Sequence, residues 1–521
     1  MAAGGKTSLF RAAGTIGLLT LFSRILGFLR DIIIANYFGT RAAADAFFMA
    51  FRIPSLLRRL TAEGALSAAF VPLFAKTLLK DRREAFRLAN NLIFHMTLFT
   101  TLIVVAGVTF TPWLLKIIAV GFIDDPQKFQ LTVNLTRLVF PYLLFISLAA
   151  IIMGILNSLH HFAAPAAAPI LLNVSFILCI ILLRDFFELP VYALAAGVLI
   201  GGFLQLAVQI PFAVKNGFVF SFVFDPRSAL LKKVVLLTLP ATFGVAVAEV
   251  NMFVDTMLAS MLKEGSISYL YYANRMMLFP MGIFAISIST ALLPALSYHA
   301  GKNEPQKMIE KLSASLRTMM LLIMPSMVGL IALRVPIIEI LFERGAFDHS
   351  STLNTGFALA CYSSGLLAFS GVKLFTAAFY ALGDTKTPVI LATLAMVLNI
   401  VLNLLLMGPL AHGGLALATS IASWVNIAGL AIILRKRLGT IDGPSLLKSF
   451  TITGTASVVM AAFIFFSWEF FFGGGHSPAG LILIITSASI LYFILCWIMG
   501  SKEIKHFAVL LKEKFGGKTK A

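Results

Sequence analysis

What most constrains this chain is the recurrence, along nearly all of its 521 residues, of apolar stretches about twenty residues long. About 20 predominantly apolar residues is the length at which an α-helix crosses the hydrocarbon core of a bilayer. One such stretch could be the buried helix of a soluble domain. More than a dozen could not. Only 12% of the residues are charged and 59% are hydrophobic, whereas a soluble domain averages roughly 25% charged residues. The pattern predicts an all-α membrane protein with about 14 transmembrane helices. They fall near 12–38, 42–75, 88–113, 131–157, 165–184, 190–213, 234–260, 266–298, 313–336, 351–382, 387–408, 412–434, 447–470 and 479–500. The stretch 42–75 is longer than one span requires and contains Pro54, so a bend or an unwound turn is expected there.

The start, MAAGGKTSLFRAAG, runs into an apolar helix interrupted by Arg24, Arg30 and Asp31, with no convincing cleavage site. It reads as the first span and not as a signal peptide. Cys179, Cys361 and Cys496 all lie in apolar runs, without metal-ligand spacing. The net charge of +18 does not point to nucleic acid, because the basic residues gather in alternate loops and in the tail. Lys80, Arg82, Arg83 and Arg87 form one cluster, Arg435 to Arg437 a second, and the tail from Lys502 to Lys520 a third. This is the positive-inside pattern with both termini cytoplasmic, supplemented by attraction to anionic membrane lipids.

An internal repeat lies under the apolar text. Asp31 pairs with Asp255, Arg52 with Arg275, Pro72 with Pro294 and Pro165 with Pro388, while the run starting at Ala193 matches the one starting at Gly414. With six spans between copies, the two share one orientation and are related by an axis along the membrane normal. The expected architecture is an N-terminal six-helix lobe, 1–215, and a C-terminal six-helix lobe, 216–440. Two additional helices, 441–500, and a basic cytoplasmic tail, 501–521, complete it. Two parallel lobes suit alternating access by rocking.

Charges inside spans are the main functional signal. Thr20, Ser23, Arg24, Gly27, Arg30 and Asp31 fall within about 120° on one face of the first span. Asp45, Arg52, Arg58, Arg59 and Glu63 follow in the second, and Glu249, Asp255 and Arg275 later in the chain. An Arg at mid-bilayer costs ~2.5–3.5 kcal/mol on insertion scales, so such residues face a bundle interior or a water-filled cavity. Internal pairing, or snorkelling for Arg58 and Arg59, is the competing reading. Excess intramembrane Arg suits a phosphate-bearing substrate, because guanidinium grips phosphate oxygens as a planar fork. A second polar set joins Asp255 to Asn399, Asn403 and Thr419. It reads either as hard oxygen ligands for Na⁺ or as interhelical hydrogen-bonding glue. The sequence carries no P-loop, zinc motif or nucleophile elbow. Transport would therefore draw on an ion gradient, the membrane potential or consumption of the product.

Residues 21–76, LFSRILGFLRDIIIANYFGTRAAADAFFMAFRIPSLLRRLTAEGALSAAFVPLFAK, resemble the N-terminal signature of the MurJ/MviN family of lipid II flippases. YYANRMMLFPMGIF from Tyr271, LFERGAF from Leu341 and FYALGDTKTP from Phe379 extend the resemblance over nearly the whole chain. It implies a fourteen-helix fold of the multidrug/oligosaccharidyl-lipid/polysaccharide exporter type, and alternating access from cytoplasm to periplasm across the inner membrane. By motif match it implies a cavity lined by Ser23, Arg24, Arg30, Asp31, Arg58, Glu63 and Arg275. The last two spans would form a groove for the polyprenyl tail. The family often has acidic residues where this chain has Asn274 and Leu278, which removes carboxylates from that wall. The expected function is a lipid flippase and not an enzyme. Lipid II and membrane lipids are its expected partners, together with cell-wall synthesis enzymes. The alternatives are an exporter of another lipid-linked glycan or an amphipathic drug, and a non-transporting scaffold for cell-wall enzymes.

Overall fold

The structure, a computed structural model, describes residues 2–60, 65–439, 442–472 and 477–505. Among them there are helices and no strand. Two compact units emerge: Met1–Ser268 with Arg344–Phe347, and Tyr269–Glu343 with Asp348–Ala521.

The first unit holds α1 (Ala2–Phe38), α2 (Ala42–Arg58), α3 (Ala65–Leu78), α4 (Arg82–Ile118), α5 (Pro126–Val139), α6 (Tyr142–Ser158), α7 (Ala163–Leu183), α8 (Tyr192–Ala207), α9 (Gln209–Lys215) and α10 (Ala229–Ser260). Asp81 caps α4 by accepting from the backbone N–H groups of Arg83 and Glu84. Asp125, with Pro126 in the first turn, caps α5. Phe70, Phe74, Leu88, Leu92, Ile155 and Val234 form one core cluster that draws α3, α4, α6 and α10 together. Packing thus keeps α10 with the first unit, although the sequence repeat restarts before it.

The second unit takes α11 (Ser266–Pro280) from Tyr269 onward, its first three residues belonging to the first unit. It continues through α12 (Ile286–Gly301), α13 (Pro305–Ala332), α14 (Arg334–Phe342), α15 (His349–Ser363), α16 (Leu366–Ala381), α17 (Lys386–Leu438), α18 (Gly443–Phe472) and α19 (Pro478–Ile498). Ile452, Met460 and Ile464 of α18 meet Ile484, Ala488 and Tyr492 of α19 in one buried cluster. The four-residue spacing sets ridges of both helices together. Opposite this seam Val458, Phe465, Phe466, Ile482, Ile490 and Ile498 are exposed. An apolar exterior of that size around an apolar core is a surface made for lipid.

Ten helices among the described residues are long and apolar enough to cross a membrane. One of them, α17, is two spans. Ala411 has φ 48° and ψ −130°, and Asn399 Nδ2 donates to Thr419 Oγ1 at 3.1 Å. Twenty residues of straight helix would separate those atoms by about 30 Å, so the chain reverses between them.

The repeat also appears in the helix boundaries. Helices starting at Ala42, Arg82, Pro126, Tyr142 and Ala163 are answered by helices starting at Ser266, Pro305, His349, Leu366 and Lys386, each 223 or 224 residues on. Asp348 caps α15 as Asp125 caps α5. A π-helical turn follows α2 at 59–60, and another follows α11 at Met281–Ala285. Such turns interrupt helices at functional sites more often than elsewhere.

Candidate functional site

Four of the expected site residues lie on α1. Arg24 is exposed and Ser23 half-buried, whereas Arg30 and Asp31 are buried. The Arg30 guanidinium donates to Asp31 Oδ1 through Nη2 at 2.7 Å and through Nε at 3.1 Å. Its Nη1 donates to Asn173 Oδ1 at 3.1 Å, and its Cζ lies over the Phe176 ring, 5.0 Å from the centre. Asn173 in turn donates to the Ser23 carbonyl at 3.0 Å. A charge is tolerable in such a place only when paired and hydrogen-bonded, and α7 supplies what α1 lacks. Arg24 sits at the edge of the polar stripe, beside exposed Leu21 and Ile25.

The bend expected at Pro54 is not there: Pro54 lies inside α2, which continues to Arg58, and α3 starts at Ala65, with residues 61–64 outside the described residues. Arg52 donates to Thr256 Oγ1 at 3.2 Å and to the Met252 carbonyl at 3.3 Å. Arg59 pairs with Glu249 at 2.7 Å. Positions seven apart on α2 therefore meet positions seven apart on α10, running in opposite directions. This is the spacing at which two helices keep one seam. Internal pairing is what Arg30 makes with Asp31, and Arg59, for which snorkelling is the competing expectation, meets a carboxylate as well. Arg58 is half-buried on the same helix, and Glu63 lies outside the described residues.

At the start of α2, Asp45 is 2% exposed. It accepts from the Gly265 and Ser268 backbone N–H groups at 2.8 and 3.0 Å, from the Ser268 hydroxyl at 2.6 Å and from Lys128 at 3.3 Å. Ala42 N–H donates to Glu264 Oε1 at 2.7 Å beside it. The sequence flagged Asp45 as a charge inside a span. Its partners, far away in the chain, had no local signal.

In the second unit Arg275 is half-buried on α11, just ahead of the π-helical turn. Asn399, Asn403 and Thr419 come together. Asn403 Nδ2 donates to Asn399 Oδ1 at 2.9 Å, Asn399 donates to Thr419, and the Thr419 hydroxyl donates to the Leu415 carbonyl at 2.9 Å. The amides and the hydroxyl are engaged with one another, the arrangement of interhelical glue. Asp255, buried on α10, belongs to the first unit.

Two of the sequence motifs have structural explanations. Gly39 and Gly345 both have φ 58°. A Cβ on Gly39 would fall 2.1 Å from the Ala346 carbonyl oxygen, and one on Gly345 would fall 2.3 Å from that of Asn36. Ala346 N–H donates to the same Asn36 oxygen at 2.8 Å. The ANYFG and ERGAF stretches thus clasp each other where only glycine fits. In FYALGDTKTP, Asp384 accepts from the Thr387 hydroxyl and N–H and from Lys386 N–H, and pairs with Arg437 at 2.6 Å. These contacts, led by the Thr387 hydroxyl, hold its carboxyl below the usual carboxylate range.

Charged and amide-bearing helices paired within a helical fold of apolar exterior define a polytopic membrane protein built on the transporter plan. The fold matches an inward-facing multidrug transporter of the MATE family, of the MOP superfamily, with a TM-score of 0.68 over 82% of this chain and 96% of that one, at 15% identity. A structure of lipid II flippase MurJ in an inward closed conformation matches with a TM-score of 0.77 and 28% identity, over 95% of this chain and 99% of that one. The family model described as lipid II flippase MurJ covers residues 34–481. Lipid II flippase MurJ of Burkholderia cenocepacia is 35% identical over 95% of this chain and 98% of its own length. A probable lipid II flippase MurJ of Vibrio cholerae is 38% identical over 81% and 82%. The chain belongs to the MurJ family.

Proposed function

We propose that this chain flips lipid II, the undecaprenyl-pyrophosphate-linked peptidoglycan precursor, from the cytoplasmic to the periplasmic leaflet of the bacterial inner membrane by alternating access of its two repeats. Both termini would be cytoplasmic. The observation that carries the reading is end-to-end identity of 35% with a relative of that name, together with the arginines that this chain places on its apolar helices. In this reading Arg24 and Arg275 grip the pyrophosphate, each offering a planar fork that Lys cannot reproduce. Arg30, held by Asp31 and Asn173, presents a fixed guanidinium whose position costs nothing to reorganise on binding. Ser23 and Arg58 complete the polar lining, and α18 and α19 would carry the polyprenyl chain. The chain acts as a transporter and catalyses no covalent step.

The engaged amides of Asn399 and Asn403 favour a structural role over a sodium site. Sodium coupling through Asp255, Asn399, Asn403 and Thr419 would require those hydrogen bonds to be exchanged for the ion. Drug exporters share the fold at 15% identity, so the fold alone does not choose the cargo.

The test is replacement of the endogenous flippase by variants, with an assay of the leaflet in which lipid II accumulates. Arg24→Ala and Arg275→Ala should reach the membrane at wild-type levels and leave lipid II in the inner leaflet. Loss of a charge-assisted hydrogen bond to the pyrophosphate costs roughly 1.5–3 kcal/mol, a fall in flipping of at least tenfold. The Lys variants should recover part of it. Normal sidedness with both Ala variants would reject the pyrophosphate grip and favour a scaffold for cell-wall enzymes.

A further inference from the structure

We infer that a cavity at one end of the second unit binds the phosphodiester headgroup of a bilayer phospholipid. It has a volume of about 330 Å³ and lies between Arg317 of α13, the start of α18 and residues 500–503 beyond α19. That is the lower end of the range for small-molecule sites, about 300–1,000 Å³.

The charge around it is unevenly committed. Arg317 Nε donates to Glu503 at 2.7 Å, and its Nη1 reaches Asp442 at 3.5 Å and the Ser445 hydroxyl at 3.2 Å. One cation thus answers both carboxylates of the lining. The two remaining cations, Lys448 and Lys502, are exposed and unpaired among the described residues. The cavity therefore keeps a positive mouth. Inside it, Ser449 is 5% exposed, and its hydroxyl has no hydrogen-bond partner among the described residues. A buried hydroxyl without a partner is costly, and a ligand oxygen would remove that cost.

The surroundings identify the kind of phosphate. Leu447 and Phe450, on either side of Lys448 and Ser449, are exposed apolar residues, and Pro444 and Ile452 give the cavity an apolar wall. Two ammonium groups and a hydroxyl beside an apolar shelf match a phosphate that is attached to acyl chains. A free phosphate has no use for the shelf.

The purified full-length protein, in detergent, can be titrated with dioleoyl phosphatidylglycerol, with dioleoylglycerol and with inorganic phosphate, and read by native mass spectrometry. Phosphatidylglycerol should bind and dioleoylglycerol should not. Lys448→Gln with Lys502→Gln should weaken binding about tenfold, and Ser449→Ala severalfold, the scale of charge-assisted hydrogen bonds. Both lysines are exposed, so the double variant should unfold at the wild-type temperature and carries the test even if Ser449→Ala disturbs packing. Undiminished binding by the double variant, or equal binding of dioleoylglycerol, would overturn the site. Displacement of the lipid by millimolar inorganic phosphate would overturn the lipid as its source.

Discussion

Counted from their helix starts, Asn399 and Asn403 of α17 occupy the places that Phe176 and Ile180 hold in α7. All four are buried. In the first unit the position carries a ring beneath a buried guanidinium. In the second it carries an amide bonded to its neighbour and to Thr419. One fold position thus solves the problem of polarity in lipid in two ways, by ion pairing against an aromatic face and by a neutral hydrogen-bond chain. The copies keep a common frame and differ in where they place charge, which is what a carrier of an anionic cargo needs from a duplicated scaffold. A symmetric pair of charged lobes would bury twice the charge to no further purpose.

The largest effect should come from removing one member of the charged solution. Asp31→Ala strands Arg30, and breaking a buried pair costs about 3–5 kcal/mol. Denaturant unfolding in detergent should show that loss, and Arg30→Met with Asp31→Ala should recover much of it. Wild-type stability of the single variant would mean that Asn173 and Phe176 alone hold the guanidinium.

Exchanging the two solutions is the next test. Ile180→Asn buries an amide in an apolar seam and should cost about 1–3 kcal/mol, whereas Asn403→Leu removes one link and should cost roughly 1 kcal/mol. Equal costs would show that the two positions are less different than their neighbours make them. Thr419→Val, keeping shape and losing the acceptor for Asn399, should cost about 1 kcal/mol. If flipping by this variant matched the wild type at every sodium concentration, the chain of amides would be structural only.

The smallest effect lies outside the membrane. Asp384 has a carboxyl held below its usual range by the Thr387 hydroxyl and N–H and by Arg437. A depressed folded-state pKa stabilises above the unfolded value near 4, and that contribution fades as pH falls through the folded value. Asp384→Asn should lower stability at pH 7 by less than about 1 kcal/mol. The difference should vanish in strong acid, as melting curves across that range would show.

Much of the architecture was legible because span length and apolar composition are coarse, redundant signals. The split at 408–412 was readable from the boundary between two apolar spans, whereas the bend expected at Pro54 was misplaced, because α2 runs through Pro54 to Arg58. The repeat was readable from a few Asp, Arg and Pro that stand out in apolar text. The pairing of the charges was not. Adjacency of Arg30 and Asp31 does not tell which way either points, and Asn173 lies 143 residues away. Helix rotation decides that contact, and a single sequence carries no direct record of it. The α2–α10 ladder was half visible, since Arg52 and Arg59 are spaced by seven, as are Glu249 and Thr256. What was missing was the knowledge that α10 packs with the first unit.

The reversal at Ala411 bears on how the protein is made. Pro409 and His412 belong to the helical arms themselves, so the two arms have almost no polar linker to rest in water while one of them waits for the other. Each arm also brings groups that bare hydrocarbon would penalise, two amides on one and a hydroxyl on the other. During synthesis the pair should leave the translocon together as a closed hairpin, with the Asn403–Asn399–Thr419 chain already formed. An insertion that lengthened the turn would let the first arm enter lipid alone, and the defect would appear in biogenesis before it appeared in transport.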